Sequence, residues 1–230
     1  MIAYKLTDQN HRTRNSKLFQ LGVPVTVPAE NNEWELCTNS WIHFYTDPLI
    51  AVLMNPAHAN FRTPILWECK CEGEMLFEPL KSGCKKLTVL KQLDIPDITL
   101  INRIAFGIFC TQEVYKNMVW NTWANNWLNN IDRSKTAAAA ANAANAAYAT
   151  YAANAAYATY AANAAYATYA ATAATANAAY AATANAAYVA AYAAANVARV
   201  AARAIYAARA AAESKPIDFI SLAYKSLTIK

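Results

Sequence analysis

The pattern of apolar and polar positions changes character twice along the chain. In the first stretch, short alternating runs are separated by turn residues, which predicts strands. MIAYKL reads as a first strand. VPVTVPA alternates β-branched residues with prolines, which confine it to a sheet edge. WIHFY, Trp41 to Tyr45, is a strand, and Thr46-Asp47-Pro48 supplies a cap and a first-turn proline. LIAVLMN then reads as a short helix ended by Pro56. ILWECKCEGE from Ile65 and KKLTVLKQL from Lys85 read as two more strands, with Ser82-Gly83 in the turn before the second. From here the period lengthens. DITLINRIAFGIFCTQEVYKN predicts a buried helix, and MVWNTWANNWLNNI places Trp120, Trp123, Trp127 and Ile131 at helical spacing.

The second change comes near residue 135. From there the chain is almost wholly alanine, with Asn, Tyr or Thr at nearly every third position through residue 175. No Gly or Pro interrupts residues 135–213, so summed propensity predicts helix, roughly 120 Å long if continuous at about 1.5 Å per residue. A step of three residues drifts backward by about 60°, so the larger side chains wind round every face. The nine-residue unit YAANAAYAT presents its pattern on opposite faces in turn, and the repeat demands no supercoil. Tyr148, Tyr151, Tyr157, Tyr160, Tyr166 and Tyr169 are therefore expected to pack against alanine of neighbouring helices, from the same chain or another copy. A last segment, residues 214–230, carries Ile217, Ile220, Tyr224 and Leu227 on one stripe, with Phe219 and Ala223 beside it, and reads as a docking helix. The expected architecture is α+β: a mixed domain over 1–134 ending in two helices, a helical repeat region over 135–213, and a short C-terminal helix.

Charge and cysteines narrow the setting. The net charge is +5, made of +1 over residues 1–135 and +4 over residues 136–230. The C-terminal excess complements the end of a helix dipole and is too sparse for a nucleic-acid stripe. The five cysteines are an odd number, and MIAYKLTDQN lacks the apolar core of a signal peptide, so reduced thiols in a cytoplasmic setting are expected. Asn and Thr interrupt the alanine run too often for a membrane span.

Few residues carry candidate chemistry. Cys69 and Cys71 share one strand face, and Cys37, His43 and Cys84 would join them if zinc were bound; buried free thiols are the simpler reading. His43 is a candidate for catalysis, although no Ser, Cys or Asp stands beside it in sequence. Trp120, Trp123 and Trp127 form either a packing face or a platform that stacks bases or sugars. No Walker loop, G-x-G-x-x-G, H-E-x-x-H or G-x-S-x-G is present, so no cofactor is expected.

Tyr4-Lys5, Gly22, Leu36-Cys37, His43-Phe44 and Asp47-Pro48-Leu49, followed by an Ala-rich tail after Asp132-Arg133-Ser134, resemble an uncharacterised family of phage and bacterial proteins. That resemblance implies a phage or prophage setting and, if phage-encoded, the host cytoplasm. A second resemblance is to compact ADP-ribosyltransferase-like domains. It rests on the Tyr4-Lys5 strand, the His43-Phe44 strand and the E-x-E form of Glu72-Gly73-Glu74, with Lys5 where those domains carry Arg or His. Three functions are therefore in view. The first is a non-enzymatic interaction and assembly protein, a phage accessory factor that binds a protein partner or itself. The second is an NAD-dependent transferase using His43 and Glu74. The third is nucleic-acid binding through the basic C-terminal end.

Overall fold

A computed structural model describes residues 1–31, 33–36, 38–134, 136–141 and 217–230. The repeat region, with Tyr148, Tyr151, Tyr157, Tyr160, Tyr166 and Tyr169, lies outside the described residues. Within them the fold is mixed α+β, in two compact units, Met1–Asp97 and Ile98–Lys230. The division falls between the last strand and the next helix, earlier than the change in composition near residue 135.

The first unit is an antiparallel sheet: β1 Ile2–Thr7, β2 Pro24–Thr26, β3 Ile42–Phe44, β4 Ile65–Phe77 and β5 Ser82–Leu93, in the order β1-β4-β5-β2, with β3 also on β5. Strands β2 and β3 share one edge of β5, pairing with Lys86–Thr88 and Ser82–Cys84 respectively. The prolines around β2 fit that edge position. Tyr45, the residue after β3, exchanges both backbone hydrogen bonds with Tyr4 of β1, each 2.8 Å. The sheet thus curls until its two ends meet. Strong bending is possible because β4 carries a bulge between Glu72 and Met75, where Gly73 takes φ +78°. The E-x-E sequence is therefore the bulge itself, with Glu72 paired to Lys70 and Lys86 at 3.0 and 3.4 Å.

Helix α1, Pro48–His58, is started by Asp47, whose carboxylate accepts from the amides of Leu49 and Ile50 at 2.8 and 3.0 Å. It runs two residues past Pro56, where the sequence pattern expects a stop. The proline sits in the last turn, so little helix remains for its missing N–H to disrupt. The chain leaves through Asn60 at φ 57°. Ser82-Gly83 also differs from expectation. These residues open β5 and do not form the turn before it, because Gly83 must lie flat beneath Leu36 and Trp41.

The described part of the second unit is helical. Helix α2, Leu100–Val114, opens with a Thr99/Asn102 capping box, and α3, Met118–Leu128, is capped by Asn117. Trp120, Trp123 and Trp127 are 0, 5 and 3% exposed and pack with Ile104, Ile108 and Phe109. Their helical spacing therefore builds a core, and the rings present no platform for bases or sugars. Ile131 leaves this stripe, because α3 ends at Leu128 and Asn130 at φ 56° turns the chain outward. Ser134 caps the helical residues that follow, accepting from the Ala137 amide at 3.2 Å, and Ala138 and Ala141 join the core.

The C-terminal helix α4, Phe219–Ser226, docks on α2 through Phe219, Ala223 and Ser226. The larger residues Ile220, Tyr224 and Leu227 remain partly exposed, the reverse of the face read from sequence. Asn102 of α2 donates to the carbonyls of Ser226 and Ile229, at 2.9 and 3.0 Å. Among the described residues, no helix is long and apolar enough to cross a membrane.

Candidate functional site

Two places in the first unit carry residues that packing alone does not account for. One is inside the curled sheet, the other on the loop between β2 and β3.

Inside, Lys5 is opposite Trp67 and on the same face as Ala3, Cys69 and Cys71. It is only 6% exposed. Its ammonium donates to the His43 carbonyl at 2.6 Å and lies 5.0 Å over the Phe19 ring. Burial pushes the Lys5 pKa down, and the surrounding cysteines oppose that only in part. Burial also pushes the Cys69 thiol up to about 12. This lysine is a residue that sequence reasoning placed on a strand without noticing its environment. The only signal was a lysine between Tyr4 and Leu6 in a strand whose partner face is apolar.

His43 lies on β3 opposite Gly83. Its Nε2–H donates to the Leu36 carbonyl. Desolvation lowers its pKa, so the ring is neutral and already committed. The charges that reach it are Lys81, Lys5 and Glu78, and Glu74 is not among them. The transferase reading pairs these two residues, and no electrostatic contact joins them among the described residues. Among the described residues, no group of three His, Cys, Asp or Glu side chains could hold a metal ion, and Cys37 lies outside them.

The Lys5 environment has a measurable consequence. A lysine whose folded pKa is depressed binds fewer protons folded than unfolded between that depressed value and the ordinary 10.5. Stability then rises with pH across that window. Comparison with Lys5→Met isolates the effect, since the apolar side chain keeps the bulk and removes the titration. Denaturant unfolding at a series of pH values should show wild type gaining on Lys5→Met as the solution becomes alkaline. A pH-independent difference would mean that Lys5 is solvated in the folded protein.

The loop after β2 is built differently. Trp34 stands 62% exposed, while its neighbour Trp41 is 5% exposed. The rings meet edge to face, 5.3 Å apart at 83°. Trp41 is fixed in turn: its Nε1–H donates to the Glu33 carbonyl at 2.9 Å, and the Lys85 ammonium lies 4.2 Å over its ring. The same ammonium donates to the carbonyls of Asn31 and Ser40 at 3.1 and 2.9 Å, tying both ends of the loop to β5. Glu33 donates its amide to the Ser40 hydroxyl at 3.0 Å. Asn31, Glu33, Ser40 and Trp41 are thus tied to one another or to Lys85, while the side chains of Glu30, Glu33, Trp34 and Glu35 face solvent. Sequence supports the same charge bias, since no Lys or Arg occurs between Lys17 and Arg62. The sequence pattern places Trp41 in a strand and Trp34 in no element, and the fold shows that Trp34 faces out.

No family model, no curated protein and no solved structure matches this chain.

Proposed function

We propose that the chain is a non-enzymatic interaction protein, and that the Trp34 loop is where its first unit grips a protein partner carrying a Lys- or Arg-bearing segment. The observation that supports this is a large aromatic side chain left exposed on a loop tied to β5 through Asn31 and Ser40. Trp is the residue type that most often dominates binding energy, and a braced loop loses little entropy on binding. Three glutamates around it supply the complementary charge, and the indole face offers a cation–π contact. The chain has a matching segment of its own: residues 199–215 carry Arg199, Arg203, Arg209 and Lys215 against one Glu213. Self-association through that segment, in the phage or prophage setting implied by the resemblance above, is the form of this reading that needs no second protein.

The test is calorimetric titration of full-length protein with a synthetic peptide of residues 199–215, with oligolysine and with oligoglutamate. At least one basic peptide should bind, more weakly as salt is raised, and oligoglutamate should not. Trp34→Ala should weaken that binding by about 2 kcal/mol or more, roughly 30-fold. It should leave thermal stability within about 0.5–1 kcal/mol, because the residue makes only one edge contact. Binding of neither basic peptide, or equal binding by the variant, overturns the reading. Binding of the 199–215 peptide specifically points to self-association.

A further inference from the structure

The loop between β1 and β2 gives the first unit a second exposed surface, which the binding role just proposed leaves unused. Its tip is a tight hairpin, bridged between Arg12 and Leu18. The Thr13 amide donates to the Lys17 carbonyl and the Ser16 amide to the Thr13 carbonyl, each at 2.9 Å, with Ser16 at φ 62°. The Lys17 amide donates to the Thr13 hydroxyl at 3.1 Å, and the Arg12 guanidinium donates to the Ser16 carbonyl at 2.8 Å. At the base, one Asp8 carboxylate oxygen accepts from the amides of Asn10 and Arg12, both at 2.8 Å. Phe19, which follows the hairpin, is buried in the core of the sheet. A turn braced in this way loses little entropy on binding.

The hairpin presents positive charge beside apolar surface. Arg14 and Lys17 are exposed, and among the described residues neither side chain makes an ion pair. Gln9 donates to the Thr63 carbonyl at 2.8 Å and so brings exposed Arg62 to the same end of the sheet. The nearest acid in sequence, Asp8, already spends one oxygen on backbone amides. After the hairpin, Leu18, Leu21 and Val23 are exposed. The Gly22 amide donates to the Val89 carbonyl at 2.9 Å, which sets Leu21 and Val23 beside β5 at exposed Leu90. Leu90 is the extra residue between Val89, opposite Cys69, and Lys91, opposite Glu68. A purely phosphate-binding surface has no use for four exposed apolar side chains. A protein surface that combines acid with a large apolar side chain covers both features.

The Trp34 loop is such a surface, and it lies at the other end of the same sheet. Thr7, where β1 ends, is opposite Ile65 at the start of β4, and Leu66 pairs with Leu93 at the end of β5. The Trp34 loop leaves β2 at Thr26, opposite Lys86, and returns in β3 at Ile42, opposite Cys84 near the start of β5. We propose that the Trp34 loop of one copy takes the Arg12–Leu18 hairpin of another copy as its basic partner, an inference that rests on the reading of the Trp34 loop given above. Glu30, Glu33 and Glu35 meet Arg14 and Lys17, and the Trp34 indole covers the exposed leucines and Val23. Two different surfaces at opposite ends of one sheet make the contact head to tail. Each added copy leaves one loop and one hairpin free, so the assembly closes into a ring or continues as a filament.

The experiment is sedimentation velocity of full-length protein over a concentration series, at low and at raised salt. The samples are wild type, Trp34→Ala and the double variant Arg14→Glu/Lys17→Glu, whose exchanged side chains are all exposed. Wild type should assemble with rising concentration, and more weakly as salt is raised. Each variant alone should assemble at least about tenfold more weakly. Mixed in equal amounts, the two variants should form a one-to-one dimer and nothing larger. The intact loop of the double variant and the intact hairpin of Trp34→Ala make one junction and leave no second. Wild type that stays monomeric, either variant assembling like wild type, or a mixture that does not pair overturns the inference. Calorimetry with oligolysine and the 199–215 peptide then separates this failure from failure of the Trp34 reading. If Trp34→Ala still loses peptide binding, the loop grips a basic segment other than the hairpin. If it binds as wild type does, the reading of the loop has failed as well.

Discussion

Gly83→Ala should unfold the first unit at a distinctly lower temperature than wild type. A Cβ at this position would stand 2.6 Å from Leu36 Cδ2 and 2.8 Å from Trp41 Cβ. Neither neighbour can yield easily. Leu36 is 1% exposed, and Trp41 is held by its bond to Glu33 and by the Lys85 ammonium. The added methyl must push β3 away from β5, and β3 is the strand through which the sheet meets itself at Tyr45 and Tyr4. Overpacking of this kind costs roughly 1–3 kcal/mol. For a unit of this size that is a fall in melting temperature of roughly 5–20 °C. An unchanged melting temperature would show that Leu36 and Trp41 do not cover Gly83.

Asn102→Leu should release the C-terminal helix. Asn102 is 5% exposed, and its amide uses both ends. Its Oδ1 accepts from the Thr99 amide and hydroxyl at 2.9 and 2.6 Å, completing the cap of α2. Its Nδ2 donates to Ser226 and Ile229, holding the end of α4. Leucine keeps the volume and removes every one of these bonds. A lost cap and two buried carbonyls without their donor together cost about 2–4 kcal/mol. Limited proteolysis should cut the variant within residues 217–230 much faster than wild type. Equal protection would mean that Phe219 and Ala223 suffice to hold the helix.

These two residues show where the sequence was readable and where it was not. Strand and helix identities follow from periodicity, and β1, β3, β4, α2 and α3 fall where the alternation or the Trp120, Trp123, Trp127 spacing puts them. Glycine ordinarily marks a turn, and Ser82-Gly83 looks like one in the sequence. Its actual reason, close approach of Leu36 and Trp41, depends on a partner strand some forty residues away. The α4 face failed for a related reason. A hydrophobic stripe weighs only residue size, whereas the packed face carries Phe219, Ala223 and Ser226 and an end fixed by Asn102. The candidate sites were less legible still. Lys5 looks like any strand lysine until the curled sheet buries it. His43 and Glu74 were nominated by local motif, and the fold sends them to different neighbours.

The central claim is that Trp34 is a rigid, exposed anchor for a basic segment. The most direct measurement is the indole N–H spectrum of full-length protein during titration with the 199–215 peptide and with oligolysine, assigned by Trp34→Phe and Trp41→Phe. The account predicts that the Trp34 resonance shifts progressively and saturably with at least one basic peptide, while those of Trp120, Trp123 and Trp127 stay where they are. A Trp34 resonance that does not move with either basic peptide, or that moves equally with oligoglutamate, would contradict it.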